Sequence, residues 1–422
     1  FYNAGEEKTV TLSYAGQNVE TVFSESTFVN DRQKAEVSVL KKDKDTLNPL
    51  DGGVFGMYAG SDIKNADGSV VVSKGTLIEK AVTGEDGKAV FTADLPIGFS
   101  YDVKEIQAPE GYVRNQADVY SFTFSYTNDS EEKVTFTHTF TNERVNAVIR
   151  LQKKDAETNQ AVPQGDAVLE NAVYGLYARE DIVHPDGATG VIYHAGNRVA
   201  TLTTDENGEA SVENLYLGEY FVKEITPPVG YLADESEHDL VCSYEGDLTA
   251  TVERECISPE QVKKQPFEII KAANNGETDA DLLSGAGFTA YLLSDLAVKE
   301  DGSYDFDSAE PVVIGENGAT EIFTDEKGHA CSIALPYGTY LVRETTTPHN
   351  YKPVDDFIVR ITEHNPNTPQ VWRVLLDEEF EAKLKIIKQD DETKKPVLQK
   401  DTEFRIYDLD NEEYVEQVTT YP

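Results

Sequence analysis

The sequence predicts an all-β protein made of Ig-like, Greek-key β-sandwiches arranged in tandem as an elongated array. Two segments, Val119–Phe124 and Val134–Phe140, alternate apolar and polar residues with a period of two, which is typical of half-buried strands. Asp-Gly and Asn-Gly turns separate such segments. The pattern also recurs at domain length, with several short strands in each repeat, which favours a two-sheet sandwich over a helical solenoid.

The repeat begins with a strand of the form apolar-x-apolar-x-Lys. Its lysines are Lys41, Lys153, Lys271 and Lys388, which are 112, 118 and 117 residues apart. A second block contains a strand glutamate and is followed by a Pro-containing turn and a tyrosine. It occurs as Tyr101–Tyr112, Tyr220–Tyr231 and Tyr340–Tyr351. Because both blocks recur in step, we predict complete domains at 35–144, 145–262 and 263–379.

Two incomplete units flank these domains. Residues 1–34 resemble the C-terminal part of a preceding unit, and residues 380–422 resemble the N-terminal part of a following one. We therefore expect the chain to be a window of a longer array.

Composition excludes several classes of protein. The 422 residues include 77 acidic and 37 basic side chains, so the net charge is −40, and a nucleic-acid partner is excluded because phosphate binding needs a basic surface. The chain lacks a run of 18 apolar residues, so we expect no membrane insertion within this segment. We expect no cofactor and no metal, since three cysteines without a CxxC motif do not suggest zinc. Cys242 and Cys256 are either a disulfide pair in one hairpin or free thiols.

Charged residues fall on strand faces that should be buried. Lys41 follows the apolar residues Val37 and Val39 by four and two positions, and Glu105 follows Val103 by two, so strand alternation points both side chains inward. A buried ion pair explains such a pair simply, since buried charges must be compensated. However, Asn142 ends another alternating strand and also faces inward, which places a third polar group in the same core.

These three blocks resemble the CnaB/SpaA-type prealbumin-like domains of Gram-positive surface adhesins and pilins. The resemblance covers almost the whole chain. It rests on Lys41, on Glu105-Ile-Gln-Ala-Pro-Glu-Gly-Tyr112 and on Phe140-Thr-Asn142, together with the corresponding blocks of the next two units. It implies an intramolecular isopeptide bond between the lysine and the asparagine or aspartate, assisted by the glutamate. The crosslinks would join Lys41 to Asn142 and Lys271 to Asp377, with Glu105 and Glu344 as the assisting acids.

The chemistry of such a bond follows from burial. Burial lowers the pKa of a lysine and raises that of a carboxylic acid, so both can be neutral together. A neutral amine is a nucleophile, and a protonated carboxylic acid can polarise the acceptor and shuttle protons. The reaction would occur once per domain, so the protein would not be a turnover enzyme.

The middle unit departs from this pattern. Lys153 and Glu224 are present, but the acceptor position, eleven residues before the next repeat lysine, is Glu260. We expect either a Lys–Glu ion pair or an unlinked domain there. Asn30 and Lys388 match acceptor and donor positions whose partners lie outside this window.

The functional hypothesis is therefore that the chain forms a load-bearing stalk of a cell-wall adhesin. The stalk would be extracellular, on the surface of a Gram-positive bacterium, and its neighbouring repeats would contact one another. One alternative is a pilus shaft subunit. Another is that a unit itself binds a host protein or glycan through the long loops 61–74 and 295–314.

Overall fold

The computed structural model describes residues 7–27, 32–128, 130–274, 281–370, 373–379, 383–400, 402–409 and 413–419. Its regular structure is almost entirely β. The first domain contains nine strands: β1 (Lys34–Asp43), β2 (Val54–Ala59), β3 (Ile63–Lys64), β4 (Val70–Val72), β5 (Leu77–Val82), β6 (Lys88–Phe91), β7 (Phe99–Gln107), β8 (Val119–Phe124) and β9 (Lys133–Asn142).

Two sheets form this domain. One has the strand order β6-β1-β9 and the other β5-β2-β7-β8, while β3 and β4 form a separate hairpin. Apolar residues of both sheets, including Val39, Phe55 and Val103, pack into one buried cluster. Strand alternation produces this core, because it sends every second side chain to the same face of a sheet.

The second domain repeats this arrangement. Its sheets have the orders β15-β10-β18 and β14-β11-β16-β17, with the hairpin β12-β13 beside them. Its strands are β10 (Asn146–Asp155), β11 (Val173–Ala178), β12 (Ile182–Val183), β13 (Val191–Tyr193), β14 (Arg198–Thr203), β15 (Glu209–Leu215), β16 (Gly218–Thr226), β17 (Glu237–Cys242) and β18 (Thr251–Glu260).

The third domain has the same two sheets, β25-β20-β29 and β24-β21-β27-β28, with the small pairs β19-β26 and β22-β23. Its strands are β19 (Lys264–Gln265), β20 (Glu268–Ala273), β21 (Gly287–Leu292), β22 (Ala297–Val298), β23 (Tyr304–Asp305), β24 (Glu321–Phe323), β25 (His329–Cys331), β26 (Leu335–Pro336), β27 (Gly338–Thr346), β28 (Phe357–Ile361) and β29 (Arg373–Asp377). Three short 3-10 helices accompany them at Leu293–Asp295, Phe306–Ser308 and Glu316–Gly318. This threefold architecture confirms the predicted fold class.

The first long strand of each domain pairs in parallel with the last strand. In the first domain the pairing runs from Lys34 opposite Lys133 to Asp43 opposite Asn142. The chain therefore enters at one pole of the sandwich and leaves at the other, and the two poles are separated by about ten residues of strand, roughly 33 Å. Tension along the chain would load this parallel ladder in shear.

The long loops are more ordered than we predicted. Residues 61–74 include the hairpin β3-β4, and residues 295–314 include the hairpin β22-β23. Local turn chemistry explains the first hairpin, because the Asp67 carboxylate accepts hydrogen bonds from both the backbone and the hydroxyl of Ser69.

The flanking segments are less regular. Residues 7–27 contain no strand, and they expose the large side chains of Tyr14 and Phe23. Near the other end, β30 (Glu403–Asp408) and β31 (Glu413–Thr419) form an antiparallel hairpin. These segments build no sandwich among the residues that the structure describes.

The junction between the first and second domains is polar. The backbone N–H of Arg114 donates to the carbonyl of Asp247 at 2.8 Å. Asp186 of the second domain accepts hydrogen bonds from Thr46 Oγ1 at 3.0 Å and from Asn48 Nδ2 at 2.9 Å. Side chains and backbone of both domains thus hold this junction together.

The junction between the second and third domains is more apolar. Tyr337 packs against a buried cluster of the second domain that includes Tyr231 and Val262. Asp166 accepts hydrogen bonds from the Thr339 N–H at 2.8 Å and from Ser294 Oγ at 2.7 Å. Neighbouring domains are therefore in direct contact.

Candidate functional site

The first candidate site lies inside the first sandwich, between the paired first and last strands. Lys41 lies opposite Phe140 in the parallel ladder, and Asn142 is two residues farther along β9. A spacing of two keeps Asn142 on the same face as Phe140 and therefore beside Lys41. Both side chains are buried, and Lys41 Nζ contacts Asn142 Oδ1.

Glu105 reaches the same point from the facing sheet. It lies on β7, opposite Phe55 of β2. Its Oε1 is 2.8 Å from Lys41 Nζ, and it accepts a hydrogen bond of 2.9 Å from Asn142 Nδ2. Glu105 therefore touches both the amine and the carboxamide.

The electrostatics of this site favour the neutral form of Lys41. Burial lowers the pKa of Lys41, and the nearby Glu105 only partly offsets that effect. The Phe55 ring, with its centroid 5.7 Å from Nζ, supplies much of the apolar surroundings. The neutral amine is consequently more accessible near neutral pH than in a solvated lysine.

The third domain assembles an equivalent triad. Lys271 of β20 and Asp377 of β29 are buried and in contact, and Glu344 Oε2 of the facing sheet lies 2.7 Å from Lys271 Nζ. Burial raises the pKa of Asp377, and the contact with Lys271 opposes that shift. Burial thus favours the protonated acid, whereas the Lys271 contact favours the carboxylate, and the effect of burial is the larger of the two.

The second domain brings Lys153, Glu224 and Glu260 together. Lys153 Nζ lies 3.4 Å from Glu224 Oε1 and contacts Glu260 Oε2. Burial, followed by the adjacent Glu260, raises the pKa of Glu224 to about 7. Glu260 therefore occupies the place that Asn142 and Asp377 hold in the neighbouring domains.

Sequence reasoning missed Tyr174. Its hydroxyl donates a 2.6 Å hydrogen bond to Glu260 Oε1 and lies 3.3 Å from Lys153 Nζ. Aligning the strands Val54–Ala59 and Val173–Ala178, which read VFGMYA and VYGLYA, would have shown a tyrosine where the first domain has Phe55.

A second polar contact lies beside the site. It is made by a tyrosine in the turn that follows the strand carrying the glutamate. The Tyr112 hydroxyl donates to Asp43 Oδ2 at 2.7 Å, and the Tyr231 hydroxyl donates to Asp155 Oδ2 at 3.1 Å. Burial and the contact with Asp43 raise the pKa of the Tyr112 phenol far above its ordinary value. These bonds tie the Pro-x-Gly-Tyr turn to the first strand in two domains.

One group of side chains at the first junction has metal-ligand chemistry. Ligand atoms of Asp43, His184 and Asp186 lie within 4.8 Å of one another. Protein donors already satisfy both carboxylates. Asp43 accepts from the Thr46 N–H and from Tyr112, while Asp186 accepts from Thr46 and other side chains. We therefore interpret the group as a junction network.

The disulfide alternative is wrong in this structure, where Cys242 and Cys256 are both free and buried. The sequence suggested one hairpin. Instead, β17 places Cys242 in the four-stranded sheet and β18 places Cys256 in the three-stranded sheet. The two cysteines are thus not cross-strand neighbours. Burial raises the pKa of the Cys256 thiol to about 12.

The two remaining predicted positions belong to the flanking segments. Asn30 lies outside the residues that the structure describes. Lys388 is half-buried in the segment 383–400, near an isolated bridge between Gln389 and Pro396. Within the described ranges, the structure contains no helix long and apolar enough to span a membrane.

Comparison with known proteins identifies the domain type. A family model described as SpaA, a prealbumin-like fold domain, matches residues 35–140, 147–255 and 266–372. A collagen adhesin of Staphylococcus aureus is 30% identical over an alignment of 217 residues, and the match covers 48% of this chain. The chain spans only 16% of the length of that relative.

One solved structure shares this fold, and a second gives a weaker match. The Bacillus anthracis TIE protein superposes with a TM-score of 0.51 at 22% identity, covering 83% of this chain and 52% of that one. The major pilin subunit of Bacillus cereus matches with a TM-score of 0.30 at 15% identity, covering 83% of this chain and 100% of that one.

Proposed function

Because this chain belongs to the SpaA family of prealbumin-like fold domains and carries three of them in tandem, we propose that it forms a load-bearing stalk of a Gram-positive surface adhesin. The first and third domains are each closed by one intramolecular isopeptide bond. The observation that carries the proposal is the contact of a buried lysine amine with an amide or carboxyl group beside a second acid.

In the first domain, neutral Lys41 Nζ attacks Cγ of Asn142. The new C–N bond replaces the bond from Cγ to Nδ2, and ammonia leaves. Glu105 can accept a proton from the amine and donate one to the leaving nitrogen, because its Oε1 lies within 3 Å of both. Folding supplies the effective concentration, since both reactants are held in contact within the core.

In the third domain, Lys271 attacks Cγ of Asp377 and water leaves. The acceptor must carry a proton for its oxygen to depart as water. Burial favours that protonated form, as the raised pKa of Asp377 indicates. Glu344 is placed to shuttle the proton, with one oxygen against the amine.

The mechanical consequence follows from the parallel ladder. Each bond joins the first strand to the last, near the pole where the chain leaves the domain. Tension then passes through a covalent link, and the residues between the linked pair are shielded from extension. The direct junction contacts of Asp186 and Asp166 support a stalk role, because they resist bending between domains.

Mass spectrometry of the recombinant chain, measured on its proteolytic peptides, tests the crosslinks. Digestion of the denatured chain should yield branched peptides joining Lys41 to Asn142, lighter by one ammonia, and Lys271 to Asp377, lighter by one water. Glu105→Gln and Glu344→Gln should each abolish only the bond of their own domain. Linear peptides carrying all four residues unmodified would refute the proposal.

A second candidate function is binding of a host extracellular protein by the first domain. The hairpin β3-β4 exposes Val70 and Val71 and flanks an apolar cavity of about 560 Å³ lined by Val72, Ile78 and Leu95. The S. aureus relative is named a collagen adhesin. Replacing residues 61–74 with a short turn should remove adhesion to host matrix if this face binds, and should leave it unchanged if the domain is only a spacer.

A further inference from the structure

The second domain places a glutamate where its neighbours place an asparagine or an aspartate. Glu260 lies opposite Asp155 in the parallel ladder, just as Asn142 lies opposite Asp43 in the first domain. Asp377 holds the same position in the third domain. The backbone of all three domains therefore delivers an acceptor side chain to the same point beside the lysine.

The contacts in the second domain match those of the third. Lys153 Nζ contacts Glu260 Oε2, and these side chains are 0% and 1% exposed. Like Asp377 Oδ1, Glu260 Oε2 is buried and lies against the lysine amine. Both sites therefore hold an amine and a carboxyl group in contact inside the core.

We propose that Lys153 and Glu260 condense to form a third isopeptide bond, on an acceptor with one methylene more than aspartate. This inference rests on the proposed function, because it uses the same chemistry. Neutral Lys153 Nζ attacks Cδ of protonated Glu260, a C–N bond forms, a C–O bond breaks, and water leaves with a proton from the amine. The condensation needs no oxidant, reductant or other co-reactant.

The surrounding residues accommodate the longer acceptor. Lys153 lies 3.4 Å from Glu224, whereas Lys41 lies 2.8 Å from Glu105, so Lys153 is farther from its assisting acid. Tyr174 takes the place of Phe55 opposite the assisting glutamate.

Tyr174 adds a donor that the other two sites lack at this position. Its hydroxyl donates a 2.6 Å hydrogen bond to Glu260 Oε1, the oxygen that does not contact the amine. That oxygen acquires negative charge in the tetrahedral intermediate, and a fixed donor stabilises such charge. Tyr174 is therefore assigned as an electrophilic catalyst of this single turnover.

Glu224 supplies the proton transfer. Its pKa is raised to about 7 by burial and by Glu260, so a substantial fraction is protonated near neutral pH. Its Oε2 is held by the Asp234 N–H at 2.8 Å, which leaves Oε1 facing Lys153. The amine, the acceptor and a proton shuttle are thus all present.

The test is peptide mapping of the full chain after denaturation, with a Glu260→Gln variant as the matched comparison. We expect a branched peptide joining Lys153 to Glu260 that is lighter than its two parts by one water. Glu260→Gln should yield a branched peptide of identical mass, because glutamine loses ammonia to form the same amide. Lys153→Met should yield separate linear peptides.

The outcomes distinguish this inference from the proposed function. Linear peptides containing unmodified Lys153 and Glu260, found beside branched Lys41–Asn142 and Lys271–Asp377 peptides, would overturn the third bond alone. Absence of branched peptides from all three domains would overturn both proposals. Branched peptides in all three domains would support both.

Discussion

Substituting Lys41 by methionine should change how the first domain extends under force. The proposed bond encloses the chain between Lys41 and Asn142, which are 101 positions apart. A fully extended chain spans about 3.3–3.6 Å per residue, whereas paired strands lie only about 5 Å apart. Releasing the enclosed segment should therefore add roughly 330–360 Å of extension when the first domain unfolds.

Single-molecule force spectroscopy of the full chain measures this length directly. The Lys41→Met chain should show one more unfolding step of that size than the wild-type chain. Lys42→Met is the matched control, because Lys42 is the next residue of the same strand and lies on its other face, half-buried. The Lys42→Met chain should behave like wild type. Identical step lengths in the Lys41→Met and wild-type chains would refute the covalent clamp.

Three further perturbations should have effects of defined sign. Lys41→Met should lower the free energy of unfolding of the first domain by about 4.7 kcal/mol, because the crosslink no longer closes the loop in the unfolded chain. Calorimetry should then show a melting temperature lower by roughly 20 °C. A shift of only a few degrees would argue against a crosslink. In an Asn142→Leu chain, which cannot crosslink, the lowered pKa of Lys41 means that the folded state binds fewer protons than the unfolded state. Its stability in denaturant titrations should therefore rise with pH up to the unfolded lysine pKa of about 10.4, and a fall over that range would contradict the assigned burial. Asp186→Ala should remove two hydrogen bonds to the first domain, so the range of angles between the first two domains should widen and change the small-angle scattering profile. A profile identical to that of the wild type would show that other contacts hold the junction.

Much of this architecture could be predicted from the sequence, because its signals are local. Period-two alternation in Val119–Phe124 and Val134–Phe140 identified strands that the structure contains. The same parity argument pointed Lys41, Glu105 and Asn142 inward, and the structure buries all three. These inferences needed only the geometry of one strand at a time.

Other features depend on which strands become neighbours. The Tyr174–Glu260 hydrogen bond joins residues that are 86 positions apart and lie in different sheets, so no local sequence pattern predicts it. Cys242 and Cys256 are close in sequence yet belong to opposite sheets, so the hairpin that the disulfide alternative required does not form. Loop 61–74 became a hairpin through side-chain hydrogen bonds at its turn.

By itself, the sequence determined the all-β class, the domain-length repeat and the identity of the inward-facing charged residues. Side-chain alternation and repeat spacing depend only on the order of residues along the chain, so they can be detected without the fold. The tertiary structure decided that the first long strand and the last strand of each domain pair in parallel, which is the pairing that brings lysine, acceptor and acid to one buried point. It also decided how Asp186 and Asp166 hold the domains together. The physical reason is that burial and contact arise only when two sheets pack together, and the sequence of a single strand does not specify which strand becomes its neighbour.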